Sequence, residues 1–402
     1  MLRADVLIVG GGMAGQTLAV ALGGAGLDVA VVDREPPAQT RTLAHDGRTS
    51  AIAFGAMRAL DGIGVWTHLA AEAEPILEIR VSDRDSPLFL HYDHRDLGRD
   101  PLGFIVENVA IRRALAGRLA ALPNVHLLAP AAVAHLERGR SRATATLEDG
   151  RRLRAPLAVA ADGRHSPTRR AAGITVAEWA YPQTGLVCNV AHEKPHRGVA
   201  HERFLPAGPL AVLPLRGNRS SIVWTERADL APTMLALDDS SFAREIEARF
   251  GPHLGHMTLD GGRWSYPLAF TLADRYALPR LALLGDAARA IHPIAGQGFN
   301  LGLRDAAVLA EVVVDAARLG LDCGDGAALE RYERWRRFDG LALAATTDLL
   351  NRLFSTAFPP VQMARDLGLA AVNQIPPLKR FFMRDAMGIA GDLPRLVRGE
   401  KL

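Results

Sequence analysis

The stretch ADVLIVGGGMAGQTLAVAL, residues 4–22, decides the fold. An apolar run from Ala4 to Val9 predicts a strand, Gly10 to Gly15 a tight turn, and the small residues from Gln16 to Leu22 a helix. A second apolar run, Val29 to Val32, ends on Asp33. Glycines at 10, 12 and 15, after a strand and before a helix, with an acid about 20 residues on, make a dinucleotide fingerprint. On that reading Gly10 makes the turn and Gly12 lets a pyrophosphate approach the backbone. Gly15 lets the helix pack on its strand, and Asp33 takes the adenosine ribose. The bland alternative, a glycine-rich turn in an ordinary α/β domain, does not require the acid.

Far along the chain, LALLGDAARAIHPIAGQGFNLGLRDAAVLA, residues 281–310, repeats the logic. It reads as strand, loop and helix start, with Leu301, Val308, Leu309 and Val312 on one helical face. Asp286 stands at the strand end, where a carboxylate accepts a hydrogen bond from a sugar hydroxyl, and the glycines expose backbone N–H groups. A third such element is Leu157 to Ala161 followed by DGRHSPTRR. There Arg169 and Arg170 open a helix beyond Pro167, placed for anion contacts or for pairing with surface acids.

Composition agrees with a large enzyme: 402 residues, 49% hydrophobic and 23% charged, more than one core usually serves. Two cysteines, Cys188 and Cys323, give neither a disulfide framework nor a metal quartet. Pro195 interrupts any helix aligning the histidines at 192, 196 and 201, so no metal is expected. The charge of +3 rests on arginines scattered among nearly as many acids, which argues against nucleic acid. No apolar run reaches the length of a membrane span and no signal segment precedes the first strand, so the expected location is cytoplasmic.

Between these landmarks, residues 76–93 predict a hairpin turning at Asp83 to Ser86, in a sheet separate from the nucleotide sheet. Glu107 to Leu122 predicts a helix with Val109, Leu115, Leu119 and Leu122 inward and Arg112, Arg113 and Arg118 solvated. Val125 to Leu128 predicts a short strand, and the segments from Val133 to Leu153 an antiparallel meander. From Tyr181 to Phe270, strands at Leu186 to Val190, Leu210 to Leu213 and Ser220 to Thr225, with a helix at Asp239 to Phe250, form the expected substrate sheet. Trp224, Trp264, Tyr266 and Phe270 are candidates for a pocket floor, although large aromatics are core more often than pocket. Glu330 to Phe354 carries Arg331, Arg334, Arg336 and Arg337 before Leu349, Leu350, Leu353 and Phe354. Together with the basic and aromatic residues 378–384 it suits an element meeting a membrane or a partner enzyme, or equally a capping helix.

In order and spacing, Gly10 to Gly15, ADGRHSPTRR at 161–170 and GDAARAIHPIAGQGFNLG at 285–302 resemble the three signatures of the class A flavin monooxygenases. DGRTSAIA at 46–53 and VENVAI at 106–111 are most similar to the branch that hydroxylates ubiquinone precursors. The resemblance implies an α/β fold: a Rossmann-like, GR2-type FAD-binding domain with an inserted antiparallel β-sheet substrate domain and a C-terminal helical region. The expected division is FAD-binding segments 1–75, 101–175 and 276–320, substrate segments 76–100 and 176–275, and a helical region at 321–402.

The resemblance further implies FAD as cofactor, NAD(P)H as transient reductant, O2 as oxidant, and a polyprenyl phenol or quinol as substrate, hydroxylated through a flavin C4a-hydroperoxide. It places Gly10, Gly12, Met13, Ala14, Gly15 and Asp33 on the dinucleotide, Asp286 on the ribityl chain, and Pro293, Gly296, Gly298, Phe299 and Asn300 around the flavin ring. Arg48 is expected beside the flavin or its diphosphate, Asn108 near the adenosine half, and Asp162 in both FAD and NAD(P)H binding. Pro293, Gly296 and Gly298 form the loop that positions the reacting ring, and no side-chain nucleophile is required. Arg289 departs from the family pattern, in which many members carry histidine directly after GDAA. Two other readings compete: a hydroxylase of a soluble phenol on the same fold, and a flavin-binding component of a biosynthetic complex without its own turnover.

Overall fold

Val6–Val9, Val29–Val32 and Leu157–Ala160 contain no polar side chain, and all of their residues are buried. Strands covered on both faces need apolar groups at both parities, the mark of a parallel sheet under helices. A computed structural model of the chain, describing residues 1–36, 47–83, 86, 89–290, 297–337, 340, 368 and 371–402, places them side by side. The sheet runs Ala277–Leu278, Leu281–Leu283, Leu157–Ala160, Val6–Val9, Val29–Val32, Val125–Leu128. All its pairings are parallel except that of the edge strand Ala277–Leu278. The fingerprint helix Met13–Gly24 crosses from the first strand to its parallel neighbour and buries Leu18, Ala19, Val20 and Leu22. It starts at Met13, three residues before the expected Gln16, because Gly12 already serves as its N-cap.

An eight-stranded sheet carries the second layer. Its order is Arg289–Ala290, Met257–Ala273, Val176–His192, Arg219–Arg227, Gly208–Leu215, Val199–Leu205, Glu78–Asp83, Phe89–Asp93. All neighbours are antiparallel except Val199–Leu205 and Glu78–Asp83, which run parallel and so depart from the purely antiparallel expectation. Two strands are much longer than their apolar patterns. Pro182 and Pro267 interrupt strand composition, and the chain absorbs them at a register shift between Ala180 and Thr184. The far end of the long strand pairs Thr271 with Ala290 and Leu272 with Arg289, so this sheet is hydrogen-bonded to the segment that follows Asp286.

Helix Asp239–Phe250 covers the outer face of that sheet. Asp238 caps it by accepting from the Ser241 amide at 2.9 Å, and Phe242, Ile246 and Phe250 pack on Leu186, Ile222 and Trp224. Trp224, 1% exposed, stands 5.5 Å from the Phe242 ring with the Arg249 guanidinium 4.3 Å from its own. Trp224 is therefore core and not a pocket floor, because strand alternation turns it to the helix side. Phe270, also buried, stacks on Trp179 at 4.0 Å.

Two further expectations are refined. Helix Asn108–Ala120 buries Ile111, while Val109 is only half-buried, and Arg118 donates to the Ile63 carbonyl at 3.2 Å. Arg336, on a segment expected to be either an interfacial element or a capping helix, has a fully buried side chain paired with Asp305, which fits the capping alternative. Leu349, Leu350, Leu353 and Phe354 lie outside the described residues.

Trp224→Ala is expected to cost about 3–5 kcal/mol of stability, measured by urea unfolding, with FAD affinity unchanged. Unaltered stability with lost substrate binding would return Trp224 to the pocket.

Candidate functional site

Glycine geometry sets the first wall. Gly10 has φ +107°, and a Cβ there would lie 2.3 Å from the Ala161 carbonyl oxygen. A Cβ on Gly15 would lie 2.0 Å from the Gly10 oxygen. The turn, the helix and the Ala161-Asp162 strand end thus meet backbone to backbone. By contrast, a Cβ on Gly12 meets no atom within 4 Å, so the helix start faces open space, and no side chain caps it. Amides at a helix start carry partial positive charge and suit a phosphate. Asp33 accepts from the Gly11 amide with one carboxylate oxygen and from the Glu35 amide, at 2.7 Å, with the other.

A second wall closes on the first at Ala14. Cβ atoms built on Gly285, φ +59°, and on Gly302 would lie 3.3 and 3.5 Å from the Ala14 methyl. The Gly285-Asp286 turn and the long helix Gln297–Arg318 therefore pack directly on the fingerprint helix. Solvent reaches Asp286, yet it is so closely walled that lost hydration raises its carboxyl above the ordinary aspartate value. Arg289 and Arg164 pull it back down, and Asp305 adds to the rise. An accessible carboxylate at the bottom of a crevice is placed to accept from a polyol hydroxyl.

The Asp162 loop forms the third. Its carboxylate accepts from the Ser166 hydroxyl and, at 3.0 Å, from the Thr168 amide. Arg169 does not contact surface acids or solvent anions. It is buried, donating to the Ala287 carbonyl at 2.8 Å and the Arg164 carbonyl at 3.0 Å, and so pins this loop to the Gly285 turn. Arg170 is exposed.

The eight-stranded sheet packs against the Gly47-Arg48 segment. Gly47, φ +67°, lies so close to Trp264 that a Cβ would fall 2.0 Å from the indole. The next residue, Arg48, is exposed with its guanidinium 5.3 Å from the Tyr266 ring. Trp264 and Tyr266 thus belong to the inner face, unlike Trp224. Thr49 donates its hydroxyl to Ser221 at 2.9 Å. Asn108 is buried; its amide donates to the Arg48 carbonyl at 3.0 Å and its side chain accepts from the Ser50 hydroxyl at 2.7 Å. Asn300 works like a piece of backbone: it accepts from the Ala53 amide at 2.9 Å and donates to the Ala51 carbonyl at 2.8 Å. Phe299 packs on the core of the parallel sheet and Met13 beside it. Gly298 is exposed, with no atom within 4 Å of a built Cβ. Pro293 and Gly296 lie outside the described residues.

Sequence reasoning passed over Asp305. Its carboxylate is fully buried; one oxygen accepts from Arg289 at 2.8 Å and from Arg336 at 2.6 Å, the other from the Gly285 amide at 3.2 Å. The signal available was a lone acid between apolar neighbours of a helix otherwise destined for the core.

Open space before a glycine-capped helix start, an acid at the second strand end and a walled, accessible Asp286 fit an extended dinucleotide with a polyol linker, as FAD has. Gly15→Ala, which forces the helix off the turn, is expected to weaken FAD binding at least about tenfold in a fluorescence titration while the chain stays folded by circular dichroism.

Comparison with known proteins agrees with this geometry. The model of the family described as "FAD binding domain" matches residues 3–340. The chain is 53% identical over 402 residues to the ubiquinone hydroxylase UbiL of Rhodospirillum rubrum, covering 99% of this chain and 94% of that one. It is 34% identical over 388 residues to the 3-demethoxyubiquinol 3-hydroxylase of Escherichia coli, covering 96% and 98%. The fold resembles p-nitrophenol 4-monooxygenase PnpA of Pseudomonas putida, TM-score 0.81 at 22% identity, covering 97% and 99% of the two chains. Three glycine-lined loops closing on one crevice and a family match across most of the length lead to one conclusion: the chain belongs to the FAD binding domain family.

Proposed function

We propose that this chain is an FAD-dependent monooxygenase that hydroxylates the aromatic ring of a polyprenylated phenol or quinol precursor in ubiquinone biosynthesis, using NAD(P)H and O2. The observation that carries this reading is the full-length similarity to proteins named as ubiquinone hydroxylases, joined to a crevice whose inner wall is aromatic. On this reading residues 1–75, 101–175 and 276–320 bind FAD. Residues 76–100 and 176–275 build the substrate wall, and 321–402 the helical region.

Bound FAD would supply the redox chemistry of an NAD(P)H-driven oxygenation by O2. The chain's residues bind, aim and exclude water. The start of helix Met13–Gly24 offers amides to the diphosphate, and Asp33 and Asp286 accept hydroxyls at the two ends of the cofactor. Arg48, held over Tyr266, offers positive charge at the mouth. The start of helix Gln297–Arg318 would offer amide dipoles to a bound flavin. Gly298 and Asn300 would line that end, and Asn108, bonded to the Arg48 carbonyl and to Ser50, fixes the start of strand Thr49–Ala53. Asp162, engaged within its own loop, orders the wall beside which NAD(P)H docks.

A polyprenyl tail also asks for an apolar approach. Among the described residues no helix is long and apolar enough to cross a membrane. Helix Pro376–Ala386 is anchored inward by Met383 and Met387. It turns Leu378, Phe381 and Phe382 outward, with Ile375 just before it, and Phe381 is 60% exposed. With Arg380 and Arg384 alongside, this face suits an anionic bilayer surface, and we place the substrate's delivery there.

The purified chain is expected to oxidise NAD(P)H faster when a short-tailed precursor is added and to incorporate one atom from isotopically labelled O2. Turnover without labelled product would sink the hydroxylase reading. In flotation with anionic vesicles, Phe381→Glu with Phe382→Glu is expected to reduce binding at least about tenfold; equal flotation would remove the membrane assignment.

A further inference from the structure

Behind the Gly285-Asp286 turn the structure buries two guanidinium groups on one carboxylate. The side chains of Arg289, Asp305 and Arg336 are 1%, 0% and 0% exposed. Burial by itself disfavours the Arg289 charge, but attraction to Asp305 and Tyr276 outweighs it and holds the guanidinium pKa above its ordinary value. The guanidinium also lies 5.5 Å from the Tyr276 ring, and it donates to the Leu301 carbonyl at 3.4 Å. Such an arrangement is expensive in desolvation and is retained where it fixes something. Here the thing fixed is visible: the free oxygen of Asp305 holds the Gly285 amide, one residue before Asp286.

We propose that Arg289 is a positioning residue for the cofactor: through Asp305 it fixes the Gly285 amide and thereby the Asp286 carboxylate, and it keeps a positive charge behind that carboxylate. The two guanidinium groups differ in this respect. The charged groups acting on Asp286 include Arg289, three residues further along the chain, Arg164 from the Asp162 loop and Asp305 from the long helix. Arg289 therefore does two things: it holds Asp305, as Arg336 also does, and it acts on the Asp286 charge from within the same turn.

The inference rests on Asp286 accepting a hydroxyl of bound FAD, which its ionised form does more strongly than its protonated form. Affinity for FAD must then fall on acidification through the Asp286 pKa, already raised in this crevice. Removing the Arg289 charge raises that pKa further, so the acid limb of binding moves to higher pH.

The test is titration of the apoprotein with FAD across pH, followed by quenching of flavin fluorescence. In Arg289→Met the affinity at neutral pH is expected to fall about tenfold, as for loss of a charge-assisted hydrogen bond, and the acid limb to rise by about one pH unit. Arg289→Lys keeps the charge and should leave the limb in place. Arg336→Met removes the other guanidinium from Asp305 and should also leave it in place. Should Arg289→Met not fold, Arg289→Gln retains two donors and serves the same comparison. A limb that stays put in the neutral variant, or that moves equally in Arg336→Met or Arg289→Lys, overturns the assignment. Failure of the unaltered chain to bind FAD would instead defeat the cofactor reading itself.

Discussion

The site depends on backbone touching backbone. Gly10 against Ala161 and Gly15 against Gly10 are contacts at which one extra carbon would not fit, and Gly285 and Gly302 lie against the Ala14 methyl. Each glycine costs conformational entropy, roughly 0.5–1 kcal/mol relative to alanine in a helix or strand. In return, two helix starts and two strand-end acids are brought to one crevice. Helix starts act at short range, since their partial charge fades within a turn. Without close contact the fields of the two helices would not reach a common ligand.

Charge burial completes what the glycines begin. Arg169 and Asp305 reach the same turn from opposite sides, one through the Ala287 carbonyl and the other through the Gly285 amide. Neither touches the crevice. They make it rigid, and rigidity is what positions a ring that carries its own chemistry.

Much of this was legible in the residues, and the failures are instructive. The parallel strands announced themselves because burial on both faces leaves no polar position to blur the pattern, and Asp33 and Asp286 stood out as acids ending such strands. Trp224 was unreadable because alternation reveals that two faces exist without revealing which one a helix will cover. Arg169 was misread and Arg336 left open for a general reason: in a chain rich in arginine, guanidinium groups look like surface, and only the distant Ala287 carbonyl and Asp305 show otherwise. The full reach of strands Val176–His192 and Met257–Ala273 was hidden by Pro182 and Pro267, which local propensity forbids and a bulge accommodates.

The long strand Met257–Ala273 has a consequence for how this chain can vary. It carries Trp264 and Tyr266 on the inner wall and, a few residues on, pairs Leu272 with Arg289. Side chains alternate along it, so one residue added or lost between Tyr266 and Leu272 would turn one set of groups inside out relative to the other. Leu268 and Phe270 in that interval are held by burial, and its length is a ruler. Insertions will instead be tolerated at the hairpin tip around Gly217, where no neighbour lies within 4 Å of a built Cβ.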